Sequence, residues 1–187
     1  MRLFVALEIP AAVRDNLATL IKDLRNLDAK SRWVRPENLH VTLKFIGQAP
    51  PDKLDAMRSA LGGVRAERAV EMDFRGLGFF PNEKHPRVLW ANVEASNHLK
   101  SLAADIDHAL EILGVPREQR AFTPHLTLAR FPSPRIPEKL RDAIEQNIER
   151  EFGSLRTSEF HLIESKLKPS GAEYTRLASF SFAEAKT

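Results

Sequence analysis

The sequence predicts an α+β protein, with antiparallel sheets and helices packed on their outer faces. Three observations lead there. Period-two hydrophobic alternation marks several short strands, two pairs of which are joined by polar, Pro-bearing turns. Four intervening segments place apolar residues at helical spacing, yet they do not form a series of strand–helix–strand crossovers. Finally, both halves of the chain carry the same landmarks in the same order, the mark of a degenerate internal duplication.

Residues 2–8 alternate, with Leu3, Val5 and Leu7 on one face and Arg2, Phe4, Ala6 and Glu8 on the other, as in a half-buried strand. Pro10 stands where a helix can begin, and Val13, Leu17, Leu20, Ile21 and Leu24 follow at helical spacing. Trp33-Val34 is a short extended piece, held so partly by Pro36 nearby. Residues 38–46 form a strand, and 52–62 a helix closed by Gly62-Gly63. Residues 69–80 and 87–94 pair across the polar turn from Pro81 to Pro86. An amphipathic helix over 97–113 carries Leu99, Leu102, Ala103, Ile106, Leu110 and Leu113, and ends at Gly114 and Pro116. A strand over 124–131 and a helix over 137–150 follow. Strands near 155–166 and 173–182 close the chain, turning at Lys168-Pro169-Ser170-Gly171.

The duplication centres on Leu39-His40-Val41-Thr42-Leu43 and Pro124-His125-Leu126-Thr127-Leu128. One His-x-Thr has little meaning, since a lone strand histidine is ordinarily a hydrogen-bonded structural residue. The flanks change that. Lys53-Leu54 begins 13 residues after His40, and Lys139-Leu140 begins 14 after His125. Phe74 and Phe160 then follow the two histidines by 34 and 35 residues. Equivalent motifs in a duplicated scaffold can be brought face to face by a pseudo-twofold axis.

At 187 residues the chain reads as one domain or two intimately packed lobes, with 43% hydrophobic and 28% charged residues, an ordinary globular composition. The absence of cysteine excludes disulfides, thiolate metal sites and a thiol nucleophile. The Leu3–Leu7 run is too short for a signal segment and no stretch approaches membrane-spanning length, so the cytoplasm is the expected compartment and no membrane partner is expected. A net charge of +3 permits an anionic partner such as RNA.

Alternate strand residues share a face, so His40 points with Thr42, and His125 with Thr127. An imidazole titrates near pH 6.5, so one histidine can be neutral while the other is protonated. The neutral ring can take a proton from water or a hydroxyl, and the protonated ring can give one to a leaving alkoxide. The threonine hydroxyls can donate to non-bridging oxygens, where charge builds in a phosphoryl transition state. No metal is required, and neither motif has flanking residues of a usual ligand type. Sequence symmetry leaves open which histidine is the acid.

Arg2-Leu3-Phe4-Val5-Ala6, Trp33 through Gly47, Pro124 through Arg130, Ser165-Lys166-Leu167 and Tyr174 together resemble the two-histidine (2H) phosphoesterase superfamily. The similarity is to its RNA 2′,3′-cyclic phosphodiesterase, or 2′-5′ RNA ligase, branch, whose mark is the paired His-x-Thr-x motif, and it spans essentially the whole chain. It implies a bilobal fold, with pseudo-twofold duplicated antiparallel sheets around a central active-site cleft. Residues 1–187 would then be a single such domain of two interleaved lobes. The resemblance further implies no cofactor and hydrolysis of RNA 2′,3′-cyclic phosphate ends to 2′-phosphomonoesters, with 2′-5′ ligation as the reverse step. By family pattern His40 is the proton donor and His125 the acceptor. The expected partner is RNA with a 2′,3′-cyclic phosphate terminus, tRNA fragments among the candidates, and the expected state a monomer.

Further residues carry expectations of their own. Arg130 matches a family arginine and could pair with phosphate alongside Thr42 and Thr127. Strict alternation, however, turns it away from His125 unless a bulge intervenes. Lys44 shares parity with His40 and is either a solvated lysine or a phosphate contact. Phe4 and Tyr174, and Trp33 less so, are candidates for stacking on a base, core packing being the competing reading for Phe4. His85 falls in a turn, His98 and His108 are expected to face solvent, and His161 is given no role. Two other functions remain open: a cyclic phosphodiesterase acting on small nucleotides or an ADP-ribose cyclic phosphate, and an inactive RNA-binding module.

Overall fold

A computed structural model describes residues 1–183. In chain order these run β1 (Arg2–Glu8), α1 (Ala11–Leu27), β2 (Arg32–Trp33), β3 (His40–Gln48), α2 (Leu54–Gly62), β4 (Val70–Phe80) and β5 (Val88–Ala95). They continue through α3 (Asn97–Glu111), β6 (His125–Arg130), α4 (Glu138–Gln146), β7 (Glu151–Thr157), β8 (Glu159–Lys168) and β9 (Gly171–Ser181). The strands form two antiparallel sheets, ordered β3-β1-β8-β9 and β2-β6-β5-β4-β7. The fold is α+β and two-lobed.

The duplication is visible in the topology. The order β1-α1-β3-α2-β4 recurs as β5-α3-β6-α4-β8, with β2, β7 and β9 as additions. In each half the motif strand pairs with that half's first strand, β3 with β1 and β6 with β5. The last strand of each half crosses over: β4 pairs with β5, and β8 with β1. Each sheet is therefore completed by a strand from the other half of the chain. A continuous apolar core joins both sheets and all four helices, from Leu3, Val5 and Leu7 through Leu17, Met57, Ile106 and Leu140 to Phe160. Phe4, Ala6 and Ile163 form a small separate cluster, with Tyr174 packed on it.

Several boundaries differ from those the sequence suggested. The strand expected near 155–166 is two strands in different sheets, divided at Ser158, and β7 is an edge strand with too little apolar alternation to announce itself. The helix expected over 137–150 stops at Gln146, where the Asn147 N–H turns back to Ile144. Its 97–113 counterpart stops at Glu111, and the first turn of the 52–62 segment is a tight three-residue helix over Pro51–Lys53. Nor is β1 half-buried. It lies between β3 and β8, and Phe4 and Ala6 on its second face are as buried as Leu3 and Val5.

Both motif strands carry an extra residue at the same place. Ala6 opposes Thr42 while Val5 opposes Lys44; Trp90 opposes Thr127 while Leu89 opposes Ala129. A bulge directly after each threonine shifts the facing of everything beyond it. Leu43 and Lys44 are consequently both buried, as are Leu128 and Ala129, and it is Phe45 and Arg130 that emerge on the face of the histidines. Both sequence readings of Lys44 are thereby corrected: it is 5% exposed and turned inward, where its ammonium meets Asp107 of α3.

Candidate active site

Strands β3 and β6 belong to different sheets and approach one another where the sheets meet. His40, Thr42, His125 and Thr127 line one open cavity of about 400 Å³ between the lobes. Arg2, Phe4, Phe45, Arg130, Ser165 and Tyr174 are also on its walls. The bulge after Thr127 supplies the change of facing that Arg130 needs to reach it.

The two imidazoles are held in the same way. His40 Nδ1 lies 2.7 Å from the Asn38 carbonyl oxygen, and His125 Nδ1 lies 2.8 Å from that of Thr123. A carbonyl can only accept, so each Nδ1 carries the proton and donates, leaving Nε2 as the nitrogen that changes protonation. Both partners lie two residues upstream and use only the backbone, so Asn and Thr serve equally and no sequence signal marks the interaction.

The surroundings are not symmetric. The His40 ring packs on Phe4 at 4.7 Å between centroids and meets the edge of Tyr174 at 5.3 Å. His125 meets Phe80 at 5.2 Å and Trp90 at 6.5 Å, both edge-on. Burial pushes the His40 pKa below the usual imidazole value; the hydrogen bond to the Asn38 carbonyl opposes that shift and the charge of His125 adds to it. In the free protein His40 therefore favours the neutral form. Burial raises the Tyr174 hydroxyl, against the opposing charges of Arg2 and Arg130.

The remaining candidates separate clearly. Phe4 is 4% exposed, so its ring is packed beneath His40 and Tyr174 and does not stand free for a base. Phe45 is 64% exposed in the cavity wall; sequence reasoning passed it over because the bulge that exposes it is invisible to simple alternation. Phe80 and Trp90 were missed as well, since both belong to a strand pair without a motif. Trp33 is half-buried and packs against the main core. His85, His98 and His108 are exposed and away from the cavity, while His161 is buried, with Nδ1 2.9 Å from the Ser179 hydroxyl. Among the described residues, no three His, Asp or Glu side chains gather to hold a cation, and no helix is long and apolar enough to cross a membrane.

Two copies of one strand motif line the same cavity, and the comparison with known families finds that duplication directly. The profile of the family described as LigT like Phosphoesterase matches the chain twice, over residues 7–90 and 91–174. The chain belongs to the LigT-like phosphoesterase family. Each family match contains one His-x-Thr strand, and the boundary at 90/91 falls within β5, the counterpart of β1.

Family members resemble this chain over nearly their whole length. The RNA 2′,3′-cyclic phosphodiesterase of Methanothermobacter thermautotrophicus is 35% identical over 181 residues, spanning 96% of this chain and 98% of that one. Its namesake from Thermus thermophilus is 36% identical over 191 residues, spanning 97% and 90%. Among solved structures, TT0787 of Thermus thermophilus superposes with a TM-score of 0.78 at 36% identity, covering 97% of this chain and 98% of its own. E. coli LigT complexed with phosphate gives 0.71 at 25% identity, covering 98% of each.

Proposed function

We propose that this LigT-like phosphoesterase hydrolyses RNA 2′,3′-cyclic phosphate ends to 2′-phosphomonoesters by paired-histidine acid–base catalysis, without a metal or cofactor. The observation that carries the reading is the pair of His-x-Thr strands, one from each sheet, turned into one cavity with both Nε2 atoms left free. The names of the relatives support it: both phosphodiesterases described above act on the same class of RNA end by name.

With the cyclic phosphate seated between the motifs, His125 Nε2 removes a proton from water as its oxygen attacks phosphorus. The P–O3′ bond breaks, and His40 Nε2–H protonates the departing O3′. Products are a 2′-phosphomonoester and a free 3′-hydroxyl. Thr42, Thr127 and Arg130 donate to the non-bridging oxygens as charge accumulates there. Burial disfavours the charged form of free His40, and the negative charge of a bound substrate would act in the opposite sense, favouring the imidazolium that serves as acid. With a 5′-hydroxyl in place of water in the same displacement, the P–O3′ bond again breaking and O3′ again taking the proton, the product is a 2′-5′ link. The chain acts as a single domain, monomeric and cytoplasmic, on RNA ends such as those of tRNA fragments.

The test is incubation with a short RNA ending in a 2′,3′-cyclic phosphate, in EDTA, with the product isomer resolved by chromatography. Conversion to the 2′-phosphate is expected, falling about 10²–10⁴-fold in His40→Ala and in His125→Ala. Recovery of activity only on adding a divalent metal would overturn the two-histidine mechanism, and no turnover in either condition would overturn the substrate assignment.

A further inference from the structure

One end of the cavity holds polar side chains that the reaction above leaves unused. Arg2 on β1 opposes Ser165 on β8, and Ser165 opposes Tyr174 on β9. Directly opposed residues of antiparallel strands present their side chains to the same face, so these three stand in a row across three strands. All three line the cavity. Arg130 faces them from the other sheet, and its charge, like that of Arg2, is felt at the Tyr174 hydroxyl.

Arg2 and Arg130 are both exposed. Among the described residues, neither guanidinium forms an ion pair or a hydrogen bond, although ten other salt bridges are present. Among the described residues, no carboxylate lines the cavity. Arg130 serves the reacting phosphate in the reaction above, which leaves the Arg2 guanidinium, beside the Ser165 and Tyr174 hydroxyls, to attract a second oxyanion. Position fixes which oxyanion. Arg2 lies four residues along β1 from Ala6, the partner of Thr42, about 13 Å of extended backbone. Between the two levels lie the Phe4–His40 stack and the exposed Phe45 ring, 6.3 Å from Phe4. The order along the cleft is thus histidines, aromatic rings, Arg2, which matches phosphate, nucleoside, phosphate.

We propose that Arg2, with Ser165 and Tyr174, forms a second subsite that holds the phosphate on the 5′ side of the terminal nucleotide. The assignment rests on the cyclic-phosphodiesterase reading and deepens it. It makes the substrate a terminal nucleotide carrying phosphate at both ends, recognised by charge and not by base edge.

Three substrates with the same base decide it: a nucleoside 2′,3′-cyclic phosphate, its 5′-phosphorylated form, and a dinucleotide ending in the cyclic phosphate. Wild-type kcat/KM is expected to be about tenfold or more higher for a 5′-phosphate-bearing substrate, the scale of one charge-assisted hydrogen bond. Arg2→Gln should bring that ratio close to one, and Arg2→Lys should restore part of it. A gain with the dinucleotide identifies an RNA chain as the source of the phosphate, whereas a gain confined to the 5′-monophosphate identifies a free nucleotide; either supports the subsite. Equal efficiency on all three, or a gain that survives in Arg2→Gln, overturns this inference alone. No turnover of any of them removes the cyclic-phosphodiesterase reading and the subsite with it.

Discussion

Replacing Lys44 by methionine should destabilise the protein by about 3 kcal/mol, at the lower end of the range for breaking a buried ion pair. The Lys44 and Asp107 side chains are 4% and 12% exposed, and the ammonium also donates to the Pro116 carbonyl at 2.6 Å. Without Lys44, the Asp107 carboxylate keeps the Glu118 backbone N–H, 3.3 Å from either oxygen, and the Arg117 guanidinium at 3.7 Å. Arg117 is more than half exposed and well screened, so it compensates only in part. For a chain of this size the loss corresponds to a fall in Tm of about 6–12 °C. The double variant Lys44→Met/Asp107→Leu should recover to within about 1 kcal/mol of wild type, since both charges then leave the interior together.

The pH dependence supplies an independent check. Burial pushes the Asp107 carboxyl up, but the Lys44 hydrogen bond, the Glu118 N–H and the charges of Lys44 and Arg117 outweigh it, so its native pKa is lowered. A lowered native carboxyl pKa means stability that is present above the unfolded value, about 3.9, and lost as pH falls below it. In Lys44→Met the burial effect is no longer outweighed by its main opponent and the native pKa rises. The penalty is then full at neutral pH and relieved as pH falls toward 3.9. The gap between variant and wild type should therefore narrow on acidification. Urea denaturation at pH 7 and at successively lower pH measures it. A loss under about 1 kcal/mol at pH 7, or a gap indifferent to pH, would refute the reasoning.

Three further expectations concern the cavity. Followed by NMR, the free His40 imidazole should titrate below about 6.5, rise in His125→Ala as the opposing charge is removed, and rise again when a 2′-nucleotide binds; a value at or above 6.5 in the free protein would contradict the burial argument. Gly78→Ala would place a methyl carbon 2.3 Å from the Trp90 ring, so the indole must move, at about 1–3 kcal/mol, and its contact with His125 changes. Altered tryptophan emission with reduced kcat is expected, and neither change would mean that Trp90 does not hold His125. Phe45→Ala should leave stability within about 0.5 kcal/mol, because the ring is already 64% exposed. It should nevertheless raise KM for an oligonucleotide about fivefold or more if the ring stacks on a base; an unchanged KM assigns the ring no contact with substrate.

Legibility of this fold in its sequence follows from how each feature is encoded. The His-x-Thr copies, the Lys-Leu helix starts and the Phe74/Phe160 pair recur at matched offsets, and all fall on equivalent elements. A duplication repeats residue types, so one sequence can reveal it. The exchange of β4 and β8 between sheets has no such signature, because pairing partners are chosen by tertiary packing and not by local pattern. The inward turn of Lys44 was hidden for a related reason. A bulge adds one residue to a strand without adding an unusual one, and Leu43-Lys44 reads as ordinary alternation until its register is known.

That bulge is also where the two lobes begin to differ in purpose. It occurs directly after the threonine in both motifs, so the backbone of the cradle is nearly twofold: histidine, threonine, bulge, then one more residue facing the cavity. The side chains placed on it are not. Beyond the bulge one lobe presents Phe45 and the other Arg130; within it one buries Lys44 and the other Ala129. Opposite the threonines stand Ala6 and Trp90. A nucleotide end is itself unsymmetric, with a flat apolar base on one side of an anionic phosphate. In the proposed mechanism a symmetric pair of imidazoles could exchange protons across that phosphate in either sense, so the direction of the reaction would have to be imposed from outside the motifs. Under the proposed reaction, Phe45 on one motif strand and Arg130 on the other would impose it, by favouring one orientation of the bound nucleotide over its reverse.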